Sequence, residues 1–321
     1  MSENETQPLV RDRLAQAPKN WGKWGPDDEV GSLNYLNATE VLRGAAHIKQ
    51  GKVFPVQMQM NHPDGDPVWP TRRGVEKFMT KDEGHYLSGA APETAAGTHA
   101  ADDFITAYLQ GSTHYDALGH VWLDGQLWNG YDAMSTTGGL QKASVLPIAE
   151  RGIVGRGVLI DIARHRSKDA LERLETFTHV DLLECAAAQG TTIEKHDILL
   201  IRTGFLSTFR TMSPAQFYAD FAEPGLVYSP ELVQWFADME IPNLVTDTIG
   251  NEVTVDPASG VMLTLHAALM RNLGITLTEI ADLEALADDC AEDRQYAFMY
   301  AAAPLKVAQA TGSPVNPMAI K

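Results

Sequence analysis

The apolar positions along the chain fall into short runs separated by capped, amphipathic stretches. Gly157-Val-Leu-Ile-Asp-Ile-Ala163 and Asp197-Ile-Leu-Leu-Ile-Arg202 are rich in branched residues and predict strands buried on both faces. Residues 52–60 alternate apolar with polar and predict a further strand, its Pro55 marking a sheet edge or a bulge. Residues 104–110, 244–249 and 295–302 predict three more. Between the strands lie helix signatures. Thr178-His-Val-Asp181 caps a helix running to Gln189 and closed by Gly190, while Ser213-Pro-Ala-Gln216 and Ser229-Pro-Glu231 each place proline at a first helical position. In the last of these, Leu232, Trp235, Phe236 and Met239 share one face. Residues 264–272 predict a helix ended by Gly274, and Thr276-Leu-Thr-Glu279 reads as the capping box of a second one, with Ile280, Leu283, Leu286 and Ala287 facing inward. Strand, helix and strand in turn predict an α/β chain with a mixed sheet and flanking helices. Residues 61–97, rich in Pro, Gly and charge, predict long surface loops. Residues 1–19 predict a polar arm, mobile or partner-binding, ahead of one compact domain over residues 20–321.

Composition narrows the function classes. The 321 residues carry 44% hydrophobic and 21% charged side chains, as a soluble globular protein does. A formal net charge of −17, with no long basic run, argues against a nucleic-acid partner, because holding phosphates takes clustered Lys and Arg. No apolar run is long enough to span a membrane, and the first residues lack the basic and apolar regions of a signal peptide. Two cysteines, Cys185 and Cys290, are too few for a disulfide framework, and a cytoplasmic setting is expected. Cys185, in Leu-Leu-Glu-Cys-Ala-Ala-Ala, reads as a small core residue.

The chemistry concentrates in Gln110-Gly-Ser-Thr-His114-Tyr-Asp116-Ala-Leu-Gly-His120. If the strand before it continues, Gln110, His114 and Asp116 project to one side, within reach of a single ion. Asp124-Gly125 then predicts a tight hairpin holding Trp122, Trp128 and Tyr131 near the motif, as walls of a substrate pocket or as plain core packing. The Gly152-x-x-Gly155-x-Gly157 cluster precedes its strand, the wrong order for dinucleotide binding.

Thr-His114-Tyr-Asp116-Ala-Leu-Gly-His120 resembles the signature of the metal-dependent cyclase family, which includes kynurenine formamidases and isatin hydrolases. Asn20-Trp-Gly-Lys-Trp-Gly-Pro-Asp-Asp-Glu-Val-Gly-Ser-Leu-Asn34, Gly155-Arg-Gly-Val-Leu-Ile-Asp161, Arg202-Thr-Gly204 and Gly312-Ser-Pro-Val-Asn-Pro-Met-Ala319 are similar to a longer-chain branch of it. The chain departs where the family often has a first histidine, here Gln110, and a proline, here Leu118. The resemblance implies a swivelling β/β/α fold assembled as homodimers or higher oligomers. It implies His114 and Asp116 as metal ligands and His120 as acid or base. His266 and Glu279 would complete the metal region, and Gln110 could ligate only through its neutral oxygen. Asp247 matches an acidic strand-end position, to orient a histidine or merely end the strand.

Mixed nitrogen and oxygen donors fit Mn²⁺ or Zn²⁺. The expected activity is therefore hydrolysis of an amide, cyclic amide or lactone of a small, possibly aromatic, molecule. Two other classes stay open. His114-x-Asp116 with His266 also fits the triad of a non-haem Fe(II) oxygenase, and a non-catalytic small-molecule-binding protein would need no metal.

Overall fold

The computed structural model describes residues 10–93, 96–219 and 221–321. Among them, thirteen strands run in chain order: β1 (Val53–Pro55), β2 (Glu76–Lys81), β3 (Asp102–Thr106), β4 (His114–Asp116), β5 (Ile153–Asp161), β6 (Thr176–Phe177), β7 (Ile198–Arg202), β8 (Gly225–Leu226), β9 (Asn243–Thr246), β10 (Thr276–Glu279), β11 (Ala297–Ala302), β12 (Gly312–Pro314) and β13 (Met318–Ile320). Nine of them form one mixed sheet in the order β1-β13-β11-β5-β7-β9-β10-β4-β12. β5, β7, β9 and β10 are parallel, and the flanking pairs are antiparallel. The fold is thus the expected single α/β domain with a mixed sheet and flanking helices.

The sheet is strongly curled. Tyr115 of β4 and Tyr300 of β11 bring their hydroxyls to 2.9 Å, although five strand spacings, about 24 Å in a flat sheet, separate the two strands in the sheet order. Alternation along the central strands then divides the core. Leu159, Leu200 and Val245 face the inside of the curl with Tyr115, Phe298 and Tyr300. Val158, Ile160, Leu199, Ile201, Leu244 and Leu277 face outward, under Leu182 and Cys185 of helix His179–Gln189, Leu232, Val233 and Phe236 of helix Pro230–Asp238, and Leu265 and Leu269. Both faces are covered, which is why the strands read as unbroken apolar runs.

The local signals placed the middle of the chain well. Thr178 and Asp181 form a capping box, Gly190 takes the left-handed conformation that ends the helix, and Ser213 and Ser229 cap helices begun by proline. Pro55 lies on the edge strand β1, where a missing N–H costs no ladder bond. Cys185 is buried, and burial pushes its thiol up to about 12.

Elsewhere the structure corrects the expectations. Residues 104–110 do not lead into His114: β3 ends at Thr106, pairs with β2 in a separate exposed ribbon, and is followed by a turn closed by Gly111 N–H on Tyr108 O. The expected loop 61–97 contains β2 and the capped helix Glu83–Leu87. Thr276–Glu279 is the strand β10 instead of a capping box, and the helix after it is Glu284–Asp293. Parallel pairing with β9 overrode the local cap signal. The turn at Asp124-Gly125 forms, with Leu123 and Gln126 exchanging hydrogen bonds, but the chain then enters the short helix Trp128–Gly130. Of the expected polar arm, residues 1–9 lie outside the described residues. From Val10 the chain is docked: Leu14 is buried, and Arg13 pairs with Asp256 at 2.9 Å. Among the described residues, no helix is long and apolar enough to cross a membrane.

Candidate metal centre

The site is built at the outer face of the sheet where β10 meets β4. His114 and Asp116, two apart on one strand, point the same way. Antiparallel pairing sets Glu279 directly opposite His114, and alternation turns it to the helix-covered face that Leu277 also occupies. One ligand atom from each of His114, Asp116 and Glu279 lies within 4.8 Å of the other two, and all three residues are buried. His114 Nε2 is 3.2 Å from Glu279 Oε2 and 3.5 Å from Asp116 Oδ1.

Helix Thr264–His266, continued as a π-helix over Ala267–Asn272, brings in a fourth group. His266 Nε2 lies 3.1 Å from Glu279 Oε1. Two expected residues thirteen positions apart therefore converge, by a helix-to-strand reversal at Gly274. Gly274 has φ +59°, and a Cβ there would sit 2.5 Å from Trp128 Nε1. His120 follows a turn closed on Ala117 O, and its Nε2 is 3.9 Å from Asp116 Oδ1. It is a quarter exposed, whereas the group it approaches is buried.

The electrostatics call for a cation. His114 donates Nδ1–H to Ser112 O at 2.7 Å, which leaves the Nε2 lone pair aimed at two carboxylates. Both His114 Nε2 and Asp116 Oδ1 are buried without a hydrogen-bond partner. An unpaired buried acceptor is costly, so the arrangement is stable only with positive charge among the acceptors. Protons respond accordingly. Burial alone would lower the His114 pKa, but Asp116 and Glu279 raise it to about 9. Burial would likewise lower that of His266, and Glu252 with Glu279 lifts it well above the usual range. For Asp116, burial is outweighed by His120 and His114, which hold the carboxyl low. Imidazole nitrogen with carboxylate oxygen is a donor set that suits a divalent transition ion, so these residues fit a metal.

Gln110 is placed by a turn and not by strand alternation. It sits in the turn before β4, outside the extended segment that the alternation argument requires, and its amide donates to Thr311 Oγ1 at 3.1 Å. A Cβ on Gly312 would lie 2.6 Å from its Nε2, so the side chain packs against β12. The three aromatic residues after the motif have different settings. Trp128 is fully buried with Leu118 and Ala143 and donates Nε1–H to Asn20 Oδ1; Tyr131 donates its hydroxyl to Pro26 O and Asp28 O; Trp122 is half exposed. Trp128 and Tyr131 pack with Trp21 and Trp24 and so hold that segment on the core. Asp247 accepts from Thr203 N–H, Thr203 Oγ1–H and Gly204 N–H, so it fastens the turn after β7 instead of orienting a histidine. Burial raises its pKa to about 7. It lines a cavity of about 520 Å³ with Met58, His62, Leu206, Arg210 and Leu283; none of His114, Asp116, His266 or Glu279 lines it.

Two residues of the site lay outside the sequence reading. Glu252 binds His266 Nδ1 at 2.7 Å, and Asn251 donates Nδ2–H to Thr278 O, next to Glu279. Gly-Asn-Glu-Val-Thr carries no spacing or cap signal that would have drawn attention to them.

A family model described as "Putative cyclase" matches residues 46–253. The crystal structure of a novel cyclase is 33% identical to this chain, covers 95% of it and 100% of its own chain, and superposes with a TM-score of 0.87. Isatin hydrolase A from Labrenzia aggregata, bound to benzyl benzoate, is 19% identical over 90% of this chain and 100% of its own, with a TM-score of 0.58. Isatin hydrolase A from Ralstonia solanacearum is 19% identical over 89% and 96%, with a TM-score of 0.57. These last two are likenesses of fold. None of the curated proteins compared with the chain matches it. With a family model over more than half of its length and a solved cyclase that shares a third of its residues almost end to end, the chain belongs to the cyclase family.

Proposed function

We propose that this protein is a metal-dependent hydrolase that opens an amide, cyclic amide or lactone of a small molecule. The observation that carries the reading is the set of buried acceptors at His114 Nε2, Asp116 Oδ1 and Glu279, two of them without any partner. His114, Asp116 and Glu279 would hold the ion, with His266 Nε2 beside Glu279. When bound, a divalent ion such as Mn²⁺ or Zn²⁺ supplies Lewis acidity and brings the pKa of water from about 15.7 toward 7. The chain's own residues do the rest. Burial of the carboxylates excludes bulk water, and His120, the exposed member beside Asp116, takes a proton at Nε2 from the attacking water and returns it to the departing nitrogen or oxygen. The fold shared with isatin hydrolases supports a cyclic amide as the first substrate class to try.

The reading is tested by elemental analysis of protein purified without added metal, beside His114→Ala. Near-stoichiometric Mn or Zn in the wild type and none in the variant is the expected result. Absence of metal from the wild type, even after reconstitution, would sink it. Self-association belongs to the same proposal, supported by the exposed Phe78, Met79, Phe104 and Ile105 on the β2–β3 ribbon. Sedimentation velocity showing only a 35.1 kDa monomer would rule it out.

A further inference from the structure

Glu252 is 3% exposed, yet its carboxylate is fully engaged by one short segment. Oε1 accepts from His266 N–H at 2.7 Å and lies 2.7 Å from His266 Nδ1, and Oε2 accepts from Leu265 N–H at 2.8 Å. The same side chain thus ties down both the backbone and the ring of His266. Holding Nδ1–H turns Nε2 toward Glu279 Oε1, 3.1 Å away. A ring turned by half a revolution would offer the wrong nitrogen to the site.

The loop that carries Glu252 is itself anchored. Glu223, fully buried, accepts Ile249 N–H at 2.6 Å on one oxygen and Gly250 N–H at 2.8 Å on the other. Asn251 donates to Thr246 Oγ1 and Thr278 O, both at 2.9 Å. Val253 N–H bonds Leu226 O at 3.0 Å. Each side of Glu252 is therefore fixed before its carboxylate reaches His266.

We infer that Glu252 is a positioning residue of the metal centre, setting the orientation of His266 and, through it, the aim of Glu279. The inference rests on the metal-dependent reading of the site but concerns a residue, Glu252, that acts on the ion only through His266. Loss of such an outer partner typically weakens metal binding about 10- to 100-fold.

The test measures Mn²⁺ and Zn²⁺ affinity by competition with a chelator for wild type, Glu252→Gln and Glu252→Ala, together with the crystal structure of metal-free Glu252→Gln. Glutamine keeps an oxygen for His266 but turns an amide toward Leu265 N–H, so about a tenfold loss is expected, and up to about a hundredfold for alanine. The His266 ring should also leave its place beside Glu279. Wild-type affinity in Glu252→Gln with the ring unmoved overturns the inference, whether or not Glu252→Ala folds. If wild type itself binds no metal, the metal reading fails, and the ring position in the variant still decides whether Glu252 holds His266.

Discussion

Glu279 Oε2 lies 3.2 Å from His114 Nε2, across a directly paired position of β10 and β4, while the opposite edge of the same imidazole donates to Ser112 O. Two acceptors face each other in a buried place, and only a proton or a cation between them makes that contact favourable. Metal removal should therefore be felt by the whole fold. We expect a chelator to lower the melting temperature of wild type and to leave unchanged that of Glu279→Gln, which is expected to lose the metal. An ion at 100 times its dissociation constant stabilises by about 2.7 kcal/mol, which sets the scale of the shift. Differential scanning calorimetry with and without chelator measures it.

His120 is bonded to no ligand residue within normal hydrogen-bond range, being 3.9 Å from Asp116 Oδ1. His120→Ala should keep the metal content of wild type and lose turnover by about 10²- to 10⁴-fold, the usual contribution of a positioned acid or base. Metal analysis and steady-state kinetics on the same preparation separate this from a ligand role, in which both would fall.

Trp128 is buried to 0% exposure and joins Asn20 to the core. Replacing it with alanine should destabilise the protein by about 3–5 kcal/mol, as large-to-small changes of buried aromatics do. Urea denaturation checks the value. A change in KM with stability intact would instead make Trp128 a wall of the substrate pocket.

Glu240 gives a dependence on acid. Burial would raise its pKa, but Lys23 and His196, hydrogen-bonded to its two oxygens, lower it from 4.5 to about 2. A carboxylate held below its unfolded value adds stability that is complete above about pH 4.5 and lost as pH falls toward about 2. The stability difference between wild type and Glu240→Gln should accordingly be constant near neutrality and shrink below about pH 4.5. Urea titrations across that range test it; a difference that stays level down to pH 2 would remove the assigned pairing.

What the sequence determined by itself was whatever depends on neighbours along the chain. The branched runs around Leu159 and Leu200 had to be buried strands, the boxes at Thr178 and Ser213 had to start helices, and His114-x-Asp116 in an extended segment had to put both side chains on one face. Tertiary structure decided everything that depends on pairing and curling. Thr276–Glu279 carried a convincing cap, yet parallel registry with β9 made it a strand, and only as a strand does Glu279 stand opposite His114. Gln110 is positioned by the turn after β3 and by its bond to Thr311, and not by the extended backbone that alternation assumes. Glu252 reached His266, fourteen residues on, through a loop anchored by Glu223 and Asn251. Contacts of that kind leave no period in the sequence, because a buried carboxylate is selected by what surrounds it in space and not by the residues beside it in the chain.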